Sequence, residues 1–325
     1  MRTFVSDFLT LDNGHGLVGR FSTLGAGVAS LTLDGKPLIL EFEEDQDYLS
    51  SKGYHGKTLG RIAGRIPDEF MLNGKLYKVP GEANHICLHG GMMDSLTFRL
   101  FDAVKEEDEK ETRIIFHYLS ADGECGFPGN LDLFVTYAFL KGEENIFQIR
   151  YEATSDKDTL LSLSNHIYWN INASKSVNDY TLQVNASKCG SFKPGSQLVV
   201  GIEDVPECLD FRTPSLLQNK LDMMVRDYPE IGTFDHTLIL DDCQGPKVIL
   251  ETDSIKVEVD TDFDSVNFYV DTSLVPYVFK NCRCLSNANR RAIAIEPEAC
   301  PIMSNIILKA GEKYSHFMTY KISKK

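Results

Sequence analysis

A large, antiparallel all-β architecture is what this 325-residue sequence predicts, on three observations. Apolar and polar residues alternate in short runs, Gly-containing turn dipeptides separate several of those runs, and only one stretch repeats with helical period. Strands without intervening helices argue against βαβ units and a parallel sheet.

The elements follow in chain order. "LTLDGKPLIL" places Asp34-Gly35 between two strand-like runs, and "EFMLNGKLYKV" does the same with Asn73-Gly74, the strongest short-range hairpin signal. The acidic stretch "KEEDEKE" at 105–111 reads as a solvated loop or hairpin tip. "NLDLFVTYAFL" and "NIFQIRYEAT", joined by residues 141–144, form a further antiparallel pair, and "KVILETDSIKVEVDTD" adds two strands. Aromatic and β-branched residues sit where a pleated, half-buried surface wants them. Only "PSLLQNKLDMMVRDY" reads as a helix, with Leu217, Leu221 and Met224 on one stripe. No linker, repeat or low-complexity tract divides the chain, so residues 1–325 are expected to form one domain.

Composition narrows the function. A 42% hydrophobic and 10% aromatic content suits a globular protein with a substantial core. A formal charge of −14 argues against nucleic acid, which requires a clustered Lys/Arg surplus. The N-terminal stretch has no long apolar segment with a cleavage site, and no run approaches the roughly 18 apolar residues of a membrane span. A cytosolic protein is expected. Its eight cysteines are then reduced thiols. Cys282-Arg-Cys284 lacks the C-x-x-C spacing of zinc or redox sites and reads as packing.

Four polar clusters interrupt the strand pattern. "GRIAGRIP" holds Arg61 and Arg65, "NHICLHGG" holds His85 and His89, "SNHIYWN" holds His166, Tyr168 and Trp169, and "AIAIEPEACP" holds Glu296. Glu296 follows an apolar run and precedes Pro297, which cannot continue a central ladder. A carboxylate emerging from a buried strand is partly desolvated, which raises its pKa and suits it to general-base work near neutral pH. Each cluster alone also has a structural reading: a strand-end carboxylate paired to arginine, a turn histidine, a surface ion pair, a core histidine. Four together in one all-β chain point to a site.

Metal binding is not expected. His85 and His89 lack the intervening glutamate of a zinc helix, and Gly90-Gly91 breaks any helix there. In a strand the two side chains would lie about 13 Å apart. Nor is there a P-loop, a dinucleotide fingerprint or a G-x-S-x-G elbow.

The order of motifs resembles the aldose 1-epimerase (galactose mutarotase) family over nearly the full length. The shared segments are "GRIAGRI", "LHGG", "DGECGFPGNLDLFVTYAF", "SNHIYWNI", "TFDHTLIL", "VNFYVDT" and "AIAIEPEACP". The resemblance implies a large antiparallel β-supersandwich with few short helices, an open sugar cleft and no cofactor. It assigns the general base to Glu296 and the general acid to His166, and sugar binding to Arg65, His89 and Asp235. Asn267 and Tyr168 join them in the cleft, the aromatic neighbours of His166 being expected to wall it.

Interconverting α and β anomers requires taking the C1 hydroxyl proton while protonating the ring oxygen, which suits an ionised Glu296 and a protonated His166. This sequence departs from the family at Gly64, where asparagine is usual, at Asn267, where glutamine is usual, and in "HIYWN". Two alternatives accompany this reading. One is a non-catalytic sugar-binding protein on the same fold. The other is a hexose-6-phosphate epimerase, with Arg61 and Arg65, or Arg290 and Arg291, on the phosphate. The expected partner is a small sugar, with no nucleic acid and no membrane.

Overall fold

The computed structural model describes residues 6–82, 84–171, 176–271, 279–280, 282, 290–300, 302 and 306–325. Hairpins dominate from the start. Phe8–Asp12, Leu17–Ser22, Gly27–Leu33 and Lys36–Pro37 form a four-stranded antiparallel sheet. Its last turn is Asp34-Gly35, with both residues at positive φ, the geometry that matches the twist of paired strands. Asn73-Gly74 repeats it between Glu69–Leu72 and Lys75–Lys78. The acidic stretch is also a hairpin tip, between Asp102–Glu107 and Glu111–Ser120. Glu111 departs from the solvated reading: it is buried and paired with Arg150 and Arg113.

Two larger antiparallel sheets follow. The nine-stranded sheet runs in space from Asp102–Glu107 through Glu111–Ser120, Leu131–Leu140, Asn145–Ser155, Lys313–Lys324, Ile255–Thr261, Val248–Glu251 and Thr181–Val184 to Ser215–Leu216. The strand nearest the C-terminus is therefore inserted between Asn145–Ser155 and Ile255–Thr261. The six-stranded sheet has the order Tyr168–Trp169, Ile293–Glu298, Ser265–Val270, Asp235–Ile239, Lys188–Phe192, Val199–Asp204.

Both sheets turn one face into a common core. Alternate residues Leu131, Leu133, Val135 and Tyr137 from the first meet Ile293, Ile295, Val266 and Phe268 from the second. Trp169 joins them, its ring 5.1 Å from that of Tyr320. The helix Leu217–Asp227 buries Leu217, Leu221 and Met224, the stripe read from the sequence. A shorter helix, Asp45–Ser50, precedes the loop that carries Tyr54. Seven cysteines are free thiols, and Cys284 lies outside the described residues.

Arg61 and Arg65, four apart in sequence, have different duties. Arg61 is buried, and its guanidinium donates to Ser120 Oγ and to the carbonyls of Ser120, Ala121, Pro128 and Gly129. It ties down a turn and is unavailable to a phosphate. In the second basic pair, Arg291 meets the Asp271 carboxylate at 2.7 Å and Arg290 faces Asp222 at 3.4 Å.

Candidate active site

Strand register assembles the site on the face of the six-stranded sheet opposite the core. Thr237 pairs with Asn267, and Asn267 with Glu296. One step along, Asp235 pairs with Tyr269, Tyr269 with Ala294, and Ala294 with Tyr168. Because side chains alternate across a strand, these two rows point the same way while Trp169, Ile295 and Phe268 point into the core. Trp169 therefore corrects the expectation that the aromatic neighbours of His166 wall the cleft. It is fully buried, and Tyr168, one residue earlier, supplies the wall.

A second group arrives from the chain before residue 90. Arg65, on the strand Arg65–Pro67, pairs with Leu88 of Ile86–Leu88 and so carries His89 beside it. His89 sits at φ +47, uncommon for a side-chain-bearing residue. A reciprocal clip holds it: the His89 N–H donates to Gly64 O at 2.9 Å, and the Gly64 N–H donates to His89 Nδ1 at 3.2 Å. Gly90 must be glycine, since a Cβ there would lie 2.3 Å from Gly60 O.

All seven residues expected from the sequence come together. His166 Nε2 lies 3.6 Å from Glu296 Oε1. Arg65 grips Asp235 with both guanidinium nitrogens, at 3.2 and 2.7 Å, and Gln197 Nε2 donates to the same carboxylate at 2.9 Å. The His166 ring stacks on Tyr168 at 4.6 Å, with His89 edge-on at 5.5 Å and Tyr54 and Tyr269 at 6.1 Å. Sequence reasoning missed Tyr54, Tyr269, Gln197 and Glu298. Alternation signals Tyr269 and Glu298, each two residues from a recognised position. Tyr54 and Gln197 lie in loops with no local signal.

Electrostatics give the site its chemical character. Burial drives the Glu296 carboxyl well above the usual range, and the negative charges of Glu298 and Asp235 add to it. Arg65 and then Asn267 oppose this, although among the described residues neither Glu296 oxygen has a hydrogen-bond partner of normal geometry. Burial lowers His166 to about 4, against the upward pull of Asp235. Both shifts work against the charged forms, and so against the ionised Glu296 and protonated His166 expected from the sequence. The cause is the low-dielectric surroundings, which penalise both charges. Asp235 behaves differently: burial would raise it, but Arg65 outweighs burial and keeps it below the usual carboxylate range. Burial, then the nearby His166 and Arg65, hold His89 neutral.

Ligand atoms of His89, His166 and Glu296 lie within 4.8 Å of one another, so the trio invites a metal reading. The hydrogen bond from Gly64 opposes it. An N–H aimed at His89 Nδ1 requires a lone pair there, which puts the ring proton on Nε2. His89 thus presents a donor to the cleft rather than a ligand.

A twisted antiparallel sandwich that carries a buried carboxylate–imidazole pair, an arginine–carboxylate clamp and aromatic walls has the makings of an acid–base site. The aldose 1-epimerase family profile matches residues 7–321, and the chain belongs to that family. Among relatives, the aldose 1-epimerase of Haemophilus influenzae is 29% identical, covering 96% of this chain and 94% of its own. Mouse galactose mutarotase is 29% identical, covering 88% and 84%. The crystal structure of an aldose epimerase homologue from C. elegans superimposes with a TM-score of 0.86 at 24% identity, covering 98% and 99%. That of galactose 1-epimerase from Lactobacillus acidophilus gives 0.85 at 22%, covering 99% of each chain.

Proposed function

We propose that this protein is an aldose 1-epimerase in which Glu296 and His166 move the protons and Arg65, His89, Asp235, Asn267 and Tyr168 hold the sugar. One observation carries the reading: a buried carboxylate and a buried imidazole face each other at 3.6 Å.

In the reaction the C1 hydroxyl gives its proton to the base as the bond from C1 to the ring oxygen breaks. The ring oxygen takes a proton from the acid, and an open-chain aldehyde results. Rotation about C1–C2 presents the other carbonyl face, and reversal of both transfers closes the opposite anomer. A pair that shares one proton supplies one base and one acid wherever that proton starts. Closing the 3.6 Å gap to a normal hydrogen bond takes under about 1 Å of movement. His89 Nε2–H donates to a sugar oxygen, and Tyr168 packs on the C–H face of the ring. Asp235 retains lone pairs for a sugar hydroxyl beyond those used by Arg65 and Gln197.

The hexose-6-phosphate alternative loses its support, because Arg61 is consumed by backbone carbonyls and Arg290 and Arg291 face carboxylates. A purely sugar-binding role has no need of the proton-sharing pair. Its free thiols fit a cytosolic place of work. No helix among the described residues is long and apolar enough to cross a membrane. Residues 1–325 are read as one domain, a reading that the family match over residues 7–321 supports.

Polarimetry on freshly dissolved α-glucose and α-galactose tests the reading. The protein should speed the decay of optical rotation for at least one of them; decay at the spontaneous rate for both would remove it.

A further inference from the structure

Glu298 is a buried carboxylate of the cleft that the reaction just described does not use. It stands two residues beyond Glu296 on the same strand and the same sheet face, opposite Ser265. Its side chain is 1% exposed, and its Oε2 has no hydrogen-bond partner among the described residues. The backbone is well anchored, with Ser265 Oγ donating to Glu298 O at 2.6 Å.

Gly64 leaves the room for it. A Cβ on Gly64 would lie 2.8 Å from Glu298 Oε1 and 3.3 Å from Oε2. The carboxylate thus fills space that a side chain at position 64 would enter. Gly64, which departs from the family's usual asparagine, thus leaves a carboxylate beside the backbone that clips His89.

Its charged surroundings are Arg65 from the strand Arg65–Pro67, Asp235 from Asp235–Ile239, Asp264 just before Ser265–Val270, and Glu296 on its own strand. Tyr314, from Lys313–Lys324, packs near enough to feel its charge. Arg65 is the cation of this group and is already committed, bidentate, to Asp235. An ionised Glu298 therefore adds a negative charge that no dedicated partner among the described residues neutralises.

We propose that Glu298 faces the substrate as a second carboxylate acceptor and sets the charge class of the sugar, admitting neutral aldoses and excluding aldoses that carry a carboxylate or phosphate. The inference rests on the epimerase reading, since it concerns the same cleft. Burial pushes the Glu298 carboxyl up to about 8, against the pull of Arg65. Rejection of anions therefore strengthens as pH rises through that value and the group ionises.

The test compares kcat/KM for glucuronate and for glucose, each corrected for spontaneous mutarotation, below and above that pKa. Glucuronate keeps its charge throughout. In the wild-type protein the glucuronate-to-glucose ratio should fall by about tenfold from one unit below to one unit above the pKa of about 8. In Glu298→Gln the ratio should stay level within about twofold, and Glu298→Asp should restore the fall. These ratios report charge selection, which a merely structural carboxylate would leave unchanged. If Glu298→Gln folds and follows the wild-type fall, or if the wild-type ratio does not change with pH, the inference is overturned. The second arm needs no variant, so misfolding of Glu298→Gln cannot shelter it. Failure to turn over any neutral aldose would instead remove the epimerase reading itself.

Discussion

His166 Nε2 and Glu296 Oε1 face each other at 3.6 Å, although their residues lie 130 positions apart in sequence. The short ladder between Tyr168–Trp169 and Ile293–Glu298 brings them together. If they act as one unit, Glu296→Gln, which keeps shape but takes up no proton, should lower kcat by about 10²-fold or more. His166→Asn should do likewise. The double variant should lose less than the product of the single losses, because groups sharing one step are non-additive. A folded Glu296→Gln that turns over near the wild-type rate would place the base elsewhere.

The pH profile follows from the direction of each shift. Activity needs one proton on the pair. Acid adds a second by protonating His166, whose burial delays this until about pH 4. Base removes the last one from Glu296, whose raised pKa delays that loss. The kcat/KM of the free enzyme should therefore be a broad bell, level through neutrality with its acid limb near 4. An acid limb near 6.5, the usual histidine value, would show that His166 is not held neutral by burial.

The Gly64 N–H on His89 Nδ1 fixes the imidazole as a donor toward the cleft. Prolonged treatment with a strong chelator should leave the mutarotation rate unchanged. Loss of activity on chelation with recovery on adding zinc would overturn this tautomer assignment and the metal-free mechanism together.

His89→Phe keeps a ring against Tyr54 but cannot donate. Losing one buried hydrogen bond to the sugar should cost about tenfold in kcat/KM. Wild-type KM and kcat in that variant would take His89 out of the site.

Trp169 and Tyr168 should separate stability from activity. Trp169→Ala empties a fully buried position against Tyr320 and should cost about 3–5 kcal/mol of unfolding free energy. Tyr168→Ala should act chiefly on kcat/KM. Denaturant melts paired with polarimetry would reveal the reverse pattern if the two faces were misassigned.

Local chemistry made much of this fold readable. Asn73-Gly74 and Asp34-Gly35 need only their own φ values to turn the chain, and Leu217, Leu221 and Met224 need only helical spacing. Sheet order is a different matter, since long-range pairing leaves no mark in a short window. The candidate site divides the same way. Motifs located Glu296, His166, Arg65, His89 and Asp235. The side of the sheet that each aromatic faces depends on register, which turns Trp169 into the core and Tyr168 to the opposite face. The resting protonation of Glu296 and His166 depended on burial by segments far away in sequence. Arg61 and Arg65 look equivalent as letters, and only the turn at residues 120–129 separates them.

The insertion of Lys313–Lys324 between Asn145–Ser155 and Ile255–Thr261 also bears on biosynthesis. A ribosome delivers this strand after both of its neighbours. Until it emerges, two long strands carry open hydrogen-bonding edges beside apolar side chains such as Phe147, Ile149 and Val257. Such edges recruit other chains, so the nascent protein passes through an aggregation-prone interval that the strand Lys313–Lys324 ends. Holdase chaperones, slower translation or lower temperature act on that interval, and recombinant yield should be most sensitive to changes in residues 313–324.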